Sequence, residues 1–250
     1  MGKAGKTETA GKKAARKPAR RAAASRKAAA RTSVKAGRRG TVPHYNQTTG
    51  FTCGPSSLLM AMKTLAPASD FSRAHELQLW REATTIFMGG PSHGGCGAAG
   101  LALAAHRRGF QAEVWVNHKG ALLSTRPKEK ARTAVIEELD RADRKEMRRL
   151  GIPYRIGALG IDDLKQAIDD GALPIVLVSM DYIHQDPTAH WVVVTGVDDH
   201  HVTVNDPWIS RNKGHTAKTV TDYAVPRSEF PAMTAYGTRK ERATVLIRRG

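Results

Sequence analysis

The chain has 250 residues and a formal net charge of +17 at pH 7, from 40 Lys and Arg against 23 Asp and Glu. That length is enough for one substantial domain with a real core. Two cysteines, Cys53 and Cys96, exclude a disulfide framework and fit a reducing cytoplasm. The N-terminal stretch lacks the apolar core of a secretory signal. No stretch approaches the roughly 18 apolar residues of a membrane span. A soluble, cytoplasmic protein with no membrane partner is the expectation.

The charge is uneven. Residues 1–40 hold 14 Lys and Arg against one acid, Glu8, which leaves only +4 for the remaining 210 residues. This Lys/Arg/Ala-rich stretch has no large apolar residue after Met1 except Val34, so it is expected to be a disordered tail. Its composition resembles linker-histone-type tails. It fits an arm for nucleic acid or another polyanion, a solubilising tail, or an organelle transit peptide. The domain expected to fold is 41–250.

Residues 41–52 read as a short extended segment. Gln47 to Leu65 then carries a cysteine at the mouth of a helix, with a glutamine six residues before it. Leu58, Ala61, Met62 and Leu65 follow the spacing of one buried helical face, and Pro55 suits the first turn. Cys53 then sits at the positive end of the helix dipole, which favours thiolate over thiol.

A further helix is expected within Phe71 to Thr85. The glycine-rich segment Gly89 to Gly100 leads into another, Ala98 to Arg108, ended by Gly109. That segment reads as a substrate-side loop; it lacks the Lys-Ser/Thr of a phosphate-binding loop. Cys96, just before the helix, reads as structural. Gln111 to Val116 alternates as a strand. Arg126 to Leu150 reads as an exposed helix with a thin apolar stripe at Ala131, Val135, Leu139 and Ala142. Ile161 to Asp170 is expected as a helix capped by Gly171.

Pro174 to Met180 is a continuous apolar run, expected as a strand buried on both faces. Asp181 to Thr188 reads as a polar loop. Trp191 to Thr195 and Val202 to Asn205 read as paired strands, and Ala243 to Ile247 as a final strand. His200 and His201 fall in a solvated turn and make a poor metal pair.

The pair of strands carries the candidate base. A five-residue connection sets Val194 against Val202, Val192 against Val204, and His190 against Asp206. The imidazole and the carboxylate then lie side by side, within hydrogen-bonding reach. Alternation turns Asn205, the rival orienter, to the other face. His184 is a rival base without a strand partner. A Cys–His pair needs the imidazole to take the thiol proton and the carboxylate to hold the ring. Gln47 can offer its side-chain N–H to a developing oxyanion, beside the backbone N–H of Cys53.

With these residues in place, the chain resembles the papain-like cysteine peptidases. More closely, it is similar to their bacteriocin-processing branch, cysteine-peptidase family thirty-nine, and its stand-alone relatives. The matching motifs are Val42-Pro43-His44-Tyr45-Asn46-Gln47, Thr52-Cys53-Gly54-Pro55, His190-Trp191-Val192-Val193-Val194-Thr195-Gly196-Val197-Asp198 and Asn205-Asp206-Pro207-Trp208. The resemblance implies an α+β, papain-like fold, with the N-terminal cysteine helix packed on an antiparallel sheet. It also implies nucleophile Cys53, base His190, orienter Asp206 and oxyanion donor Gln47.

The expected activity is cleavage of a peptide or amide bond in a peptide or protein through a thioester, with no metal or organic cofactor. An amidase or acyl-transferase using the same thioester is the first alternative. The second is a non-catalytic papain-like binding module with a nucleic-acid-binding tail. Exporter-borne members carry transmembrane and ATP-driven domains that this sequence does not contain, so their double-glycine leader specificity is not carried over.

Overall fold

The computed structural model describes residues 41–86, 93–127 and 129–250. The expected tail, residues 1–40, and residues 89–92 of the glycine-rich segment lie outside the described residues. The apolar run expected as a central strand forms β5 (Leu173–Ser179) of a seven-stranded sheet. The other strands are β3 (Gln111–Val116), β4 (Tyr154–Ile156), β6 (Ala189–Val197), β7 (His201–Asn205), β8 (Tyr223–Pro226) and β9 (Ala243–Arg248). Their order is β4-β3-β9-β5-β6-β7-β8, antiparallel throughout except for β3 and β4, which run parallel. A separate short pair joins β1 (Thr84–Ile86) to β2 (Gly95–Cys96). Strands β1, β2, β4 and β8 are too short or too polar to show an apolar period.

Strand β5 is apolar along its length because both faces of the sheet are covered. Ile175 and Leu177 join the core under α1 (Cys53–Leu65) and α3 (Ala98–His106), while Val176 and Val178 join a second cluster with Val192, Val194, Val202 and Val204. Leu164 of α5 (Ile161–Asp169) belongs to that second cluster. Glycines in the left-handed region follow α3 and α5, Gly109 at φ +80 and Gly171 at φ +86, as expected of helix stops.

Helix α1 is more deeply enclosed than one apolar stripe predicts. Leu58, Ala61 and Met62 are fully buried, but so are Leu59 and Met60, because α2 (Arg73–Ala83), α3, β5 and β6 surround it. Each large side chain buried there contributes roughly 2 kcal/mol. A helix held on all sides is a rigid mount for the residue at its first position.

Three expectations are corrected. The helix expected within Arg126 to Leu150 is α4 (Lys130–Arg149), but the residues it buries are Ile136 and Met147. Ala131, Val135 and Ala142 of the expected stripe are exposed, with Val135 at 43%. The stripe was one residue out of phase, because the inward face also carries the paired Asp140 and Arg144, whose charges hid its direction.

The polar loop Asp181 to Thr188 begins with a helical turn, α6 (Asp181–His184), and His184 is buried. The register of β6 and β7 also differs: Val194 pairs with Val204 and Val193 with Asn205, and a bulge intervenes before Gly196–Thr203 and Val197–Val202. The hairpin closes three out from the expected register and the bulge takes back one, so beyond it the pairing differs by two, and an even shift keeps each side chain on its expected face. Among the described residues, no helix is long and apolar enough to cross a membrane.

Candidate active site

Cys53 is the first residue of α1 and is half-buried. The loop before it is held by Glu76 of α2, a carboxylate with no exposed surface. Its Oε1 accepts from the backbone N–H of Thr48 at 2.8 Å, the hydroxyl of Ser56 at 3.3 Å and the hydroxyl of Thr52. Its Oε2 accepts from the hydroxyls of Tyr45 at 3.0 Å and Thr48 at 2.8 Å. A buried charge is tolerated only when so satisfied, and here every donor belongs to the segment that carries Gln47 and Cys53. Gly54 lets the first turn lie close to its neighbours: a Cβ there would stand 3.1 Å from Cys96 Cβ and 3.2 Å from Leu101.

The two distant motif segments meet through hydrogen bonds to backbone carbonyls. Asn205 Nδ2 donates to the Val42 carbonyl at 3.0 Å, the His44 ring to the Asp206 carbonyl at 2.7 Å, and the Gln47 N–H to the Pro207 carbonyl at 2.8 Å. Asn205 Oδ1 also accepts from the Asp222 N–H. Both of its polar atoms are thus engaged away from His190, as alternation predicts.

His190 and Asp206 are both buried, and His190 Nε2 donates to Asp206 Oδ1 at 2.7 Å. They are not directly opposed in the ladder as expected; the observed register, continued, sets Asp206 diagonal to His190, still within reach of a long side chain. Cys53 is within hydrogen-bonding reach of the same ring. Burial alone would lower the His190 pKa. The carboxylate of Asp206, the sulfur of Cys53 and the hydrogen bonds to both outweigh it and lift it to about 10. Burial would raise Asp206, but the charge of His190 and the hydrogen bonds from two histidines hold its carboxyl below the usual range.

The second of those histidines was not expected. His184 Nε2 donates to Asp206 Oδ2 at 2.6 Å, and the N–H of Trp208 donates to Oδ1 at 2.8 Å. His184 is therefore not a rival base near the sulfur but a second partner of the acid. No sequence period pointed to it, or to Glu76, since each is placed by tertiary contact.

Gln47 is 4% exposed and lies in the same cleft as Cys53 and His190. Its Nε2 donates to the Thr49 carbonyl at 2.7 Å, which uses one of the two hydrogens of the amide. Cys96 lines the cleft too. Burial first, then the nearby sulfur of Cys53, pushes its thiol well above the usual range, against a hydrogen bond with Thr84. The cleft holds about 430 Å³ and is walled by Phe51, Leu123, Leu177, Met180, Trp191 and Trp208, with Asp186 at one side. His200 and His201 sit at a turn whose N–H groups both bond Asp198 at 2.7 Å, and no cluster suited to a metal occurs among the described residues.

A helix bearing a half-buried cysteine at its first turn, set against an antiparallel-rich sheet bearing a His–Asp pair, is the papain-like cysteine peptidase arrangement. Residues 42–248 match the family described as Peptidase_C39 like, and the chain belongs to that family. Three solved structures are similar in fold. One is a double glycine motif protease from an AMS/PCAT transporter, in complex with the leader peptide, at 16% identity and TM-score 0.45, covering 87% of this chain and 97% of that one. The peptidase domain of Streptococcus ComA, a bi-functional ABC transporter, has 14% identity and TM-score 0.42 over 84% and 99%. A putative C39-like peptidase from Bacillus anthracis has 15% identity and TM-score 0.47 over 84% and 96%. No curated protein matches the chain.

Proposed function

We propose that the chain is a cysteine peptidase that cleaves a peptide or amide bond through a thioester. The observation that carries this reading is that His190 bonds Asp206 at 2.7 Å and interacts with Cys53 in the same cleft. In the proposed cycle Cys53 gives its proton to His190 and the sulfur attacks the carbonyl carbon. The oxyanion takes hydrogen bonds from the free side-chain hydrogen of Gln47 and the Cys53 backbone N–H. His190 then gives its proton to the leaving amine, and the thioester forms. A water loses a proton to the same ring, attacks the thioester, and restores Cys53. Asp206 stays ionised, holding the ring and stabilising the imidazolium. No step needs a metal or cofactor.

The apolar walls of the cleft support a peptide or protein partner whose side chains beside the scissile bond are apolar. An amidase or acyl-transferase would use the same residues, and an added amine acceptor distinguishes it by its product. Binding of nucleic acid or another polyanion by residues 1–40 is supported by their charge alone; a retained, salt-sensitive DNA shift after their removal would overturn it. The central test is Cys53→Ala. It should abolish hydrolysis of a mixed peptide library carrying fluorogenic amide leaving groups, and labelling at position 53 by iodoacetamide. Undiminished hydrolysis by that variant rules the reading out.

A further inference from the structure

We propose that His184 is a positioning residue for this reaction: it clamps the second oxygen of Asp206 and so sets the rotation of the carboxylate on which His190 rests. The inference depends on the Cys53–His190 reading. Rotation of an aspartate about its last torsion is soft, with no sharp preferred angle. In this protein Oδ1 is held by His190 Nε2 at 2.7 Å and by the Trp208 N–H at 2.8 Å. Two donors on one oxygen leave the carboxylate free to pivot about it. His184 Nε2, at 2.6 Å from Oδ2, removes that freedom.

The surroundings show a side chain held for that contact. His184 is 2% exposed and Asp206 has no exposed surface, so the hydrogen bond lies where water does not compete for it. The ring is carried by the one-turn helix α6, whose end is turned out by Gln185 in the left-handed region at φ +54. That conformation costs a non-glycine residue roughly 1–2 kcal/mol and persists only where the surroundings impose it. Lys213 Nζ donates to the His184 carbonyl, and the His184 N–H donates to the Met180 carbonyl at 2.6 Å. The charged and titratable groups around the ring are Asp206, His190 with ring centres 6.3 Å away, His215 at 4.8 Å, and Lys213. His184 does not itself line the cleft, and its ring is placed to act through Asp206.

The test reads the reaction of Cys53 with iodoacetamide at pH 6 to 8 in the full chain, with the labelled position found by peptide mass. This avoids the need for the natural substrate. His184→Phe keeps a ring but no donor, and should slow labelling roughly tenfold, the scale of one lost hydrogen bond to a charged group. His184→Gln can place an amide N–H near the position of Nε2, and should stay within about threefold of the native rate. His184→Asn is too short to reach and should behave as Phe does; it serves if the Phe variant fails to fold. In an Asp206→Ala background the difference between Gln and Phe at position 184 should vanish, because nothing remains to be positioned.

Equal impairment by Gln and Phe, or a difference that survives Asp206→Ala, would mean that His184 only fills space, and would overturn the proposal. If labelling of the native chain is instead indifferent to His190→Gln, the Cys53–His190 reading itself falls, and this inference with it.

Discussion

Glu76 takes the backbone N–H of Thr48 at 2.8 Å, so a carboxylate on α2 holds the loop that leads into α1. Four hydroxyls from the same segment share that carboxylate. Glu76→Gln replaces one acceptor oxygen with a donor that faces N–H and O–H groups. Breaking a buried charge network of this kind costs about 3 kcal/mol or more. The urea unfolding midpoint of Glu76→Gln should fall accordingly, and the folded fraction should label Cys53 more slowly. A variant as stable as the native chain would show that the carboxylate does not anchor the loop.

Gln47→Ala removes the proposed oxyanion donor and leaves the backbone bond from Gln47 to Pro207 in place. Loss of one such donor lowers kcat by about 100- to 1,000-fold, with little change in KM, because the interaction strengthens only as charge develops. Steady-state kinetics on a cleavable peptide check this. A rise in KM at unchanged kcat would make Gln47 a substrate-binding residue instead.

Much of this site was legible in the sequence, for reasons that differ by residue. Cys53 and the helix behind it announce themselves through local rules: an apolar face at helical spacing and a proline in the first turn. His190 and Asp206 were found through strand alternation, which depends only on parity. Their predicted register was wrong by two, since the hairpin closes at Val197–Val202 and a bulge between Val194 and Gly196 then shifts the pairing back by one, neither of which a period reveals. An even error leaves the faces intact, so both side chains still project from the same side. Glu76 and His184 were not found because a buried polar residue is recognised only by the donors around it. Those donors lie up to 31 positions away for Glu76, and the acid lies 22 positions from His184. The face of α4 was misread because the half-buried side also carries charges, Asp140 and Arg144 among them.

The pH dependence of stability tests where the proton of the Cys53–His190 pair sits. Folded His190 keeps its proton up to about pH 10, against an ordinary histidine value near 6.5. Stability from that proton is therefore complete below about pH 6.5 and is lost as pH rises toward 10. If Cys53 has given its proton to the ring, the folded pair and the unfolded pair each hold one proton near neutrality. The native chain should then change little between pH 7 and 8. In Cys53→Ala the sulfur is gone while Asp206 still raises the ring, so stability should fall by up to about 1.4 kcal/mol per pH unit over that range. Urea midpoints at pH 7, 7.5 and 8 for both chains give the two slopes. An equally steep native slope would place a neutral thiol beside the imidazolium and remove the ion pair from the mechanism.

Gly100 shows how closely the helices around α1 are fitted. It lies in the first turn of α3, and a Cβ there would stand 2.6 Å from the Ala83 carbonyl oxygen and 2.9 Å from Ala83 Cα. Those are backbone atoms at the end of α2, the helix that carries Glu76, and they cannot turn aside as a side-chain tip can. Gly100→Ala must therefore push α3 away from α2, at a cost of about 1–3 kcal/mol. For a chain of this size each kcal/mol moves the thermal midpoint by roughly 2–4 °C. Gly50 is the matching control, since a Cβ there meets nothing within 4 Å, and its alanine variant should hold within about 0.5 kcal/mol of the native chain. Because α2 presents Glu76 to the Cys53 loop, Gly100→Ala should also slow labelling of Cys53, whereas a purely local packing defect would lower the midpoint and leave the labelling rate of the folded protein unchanged.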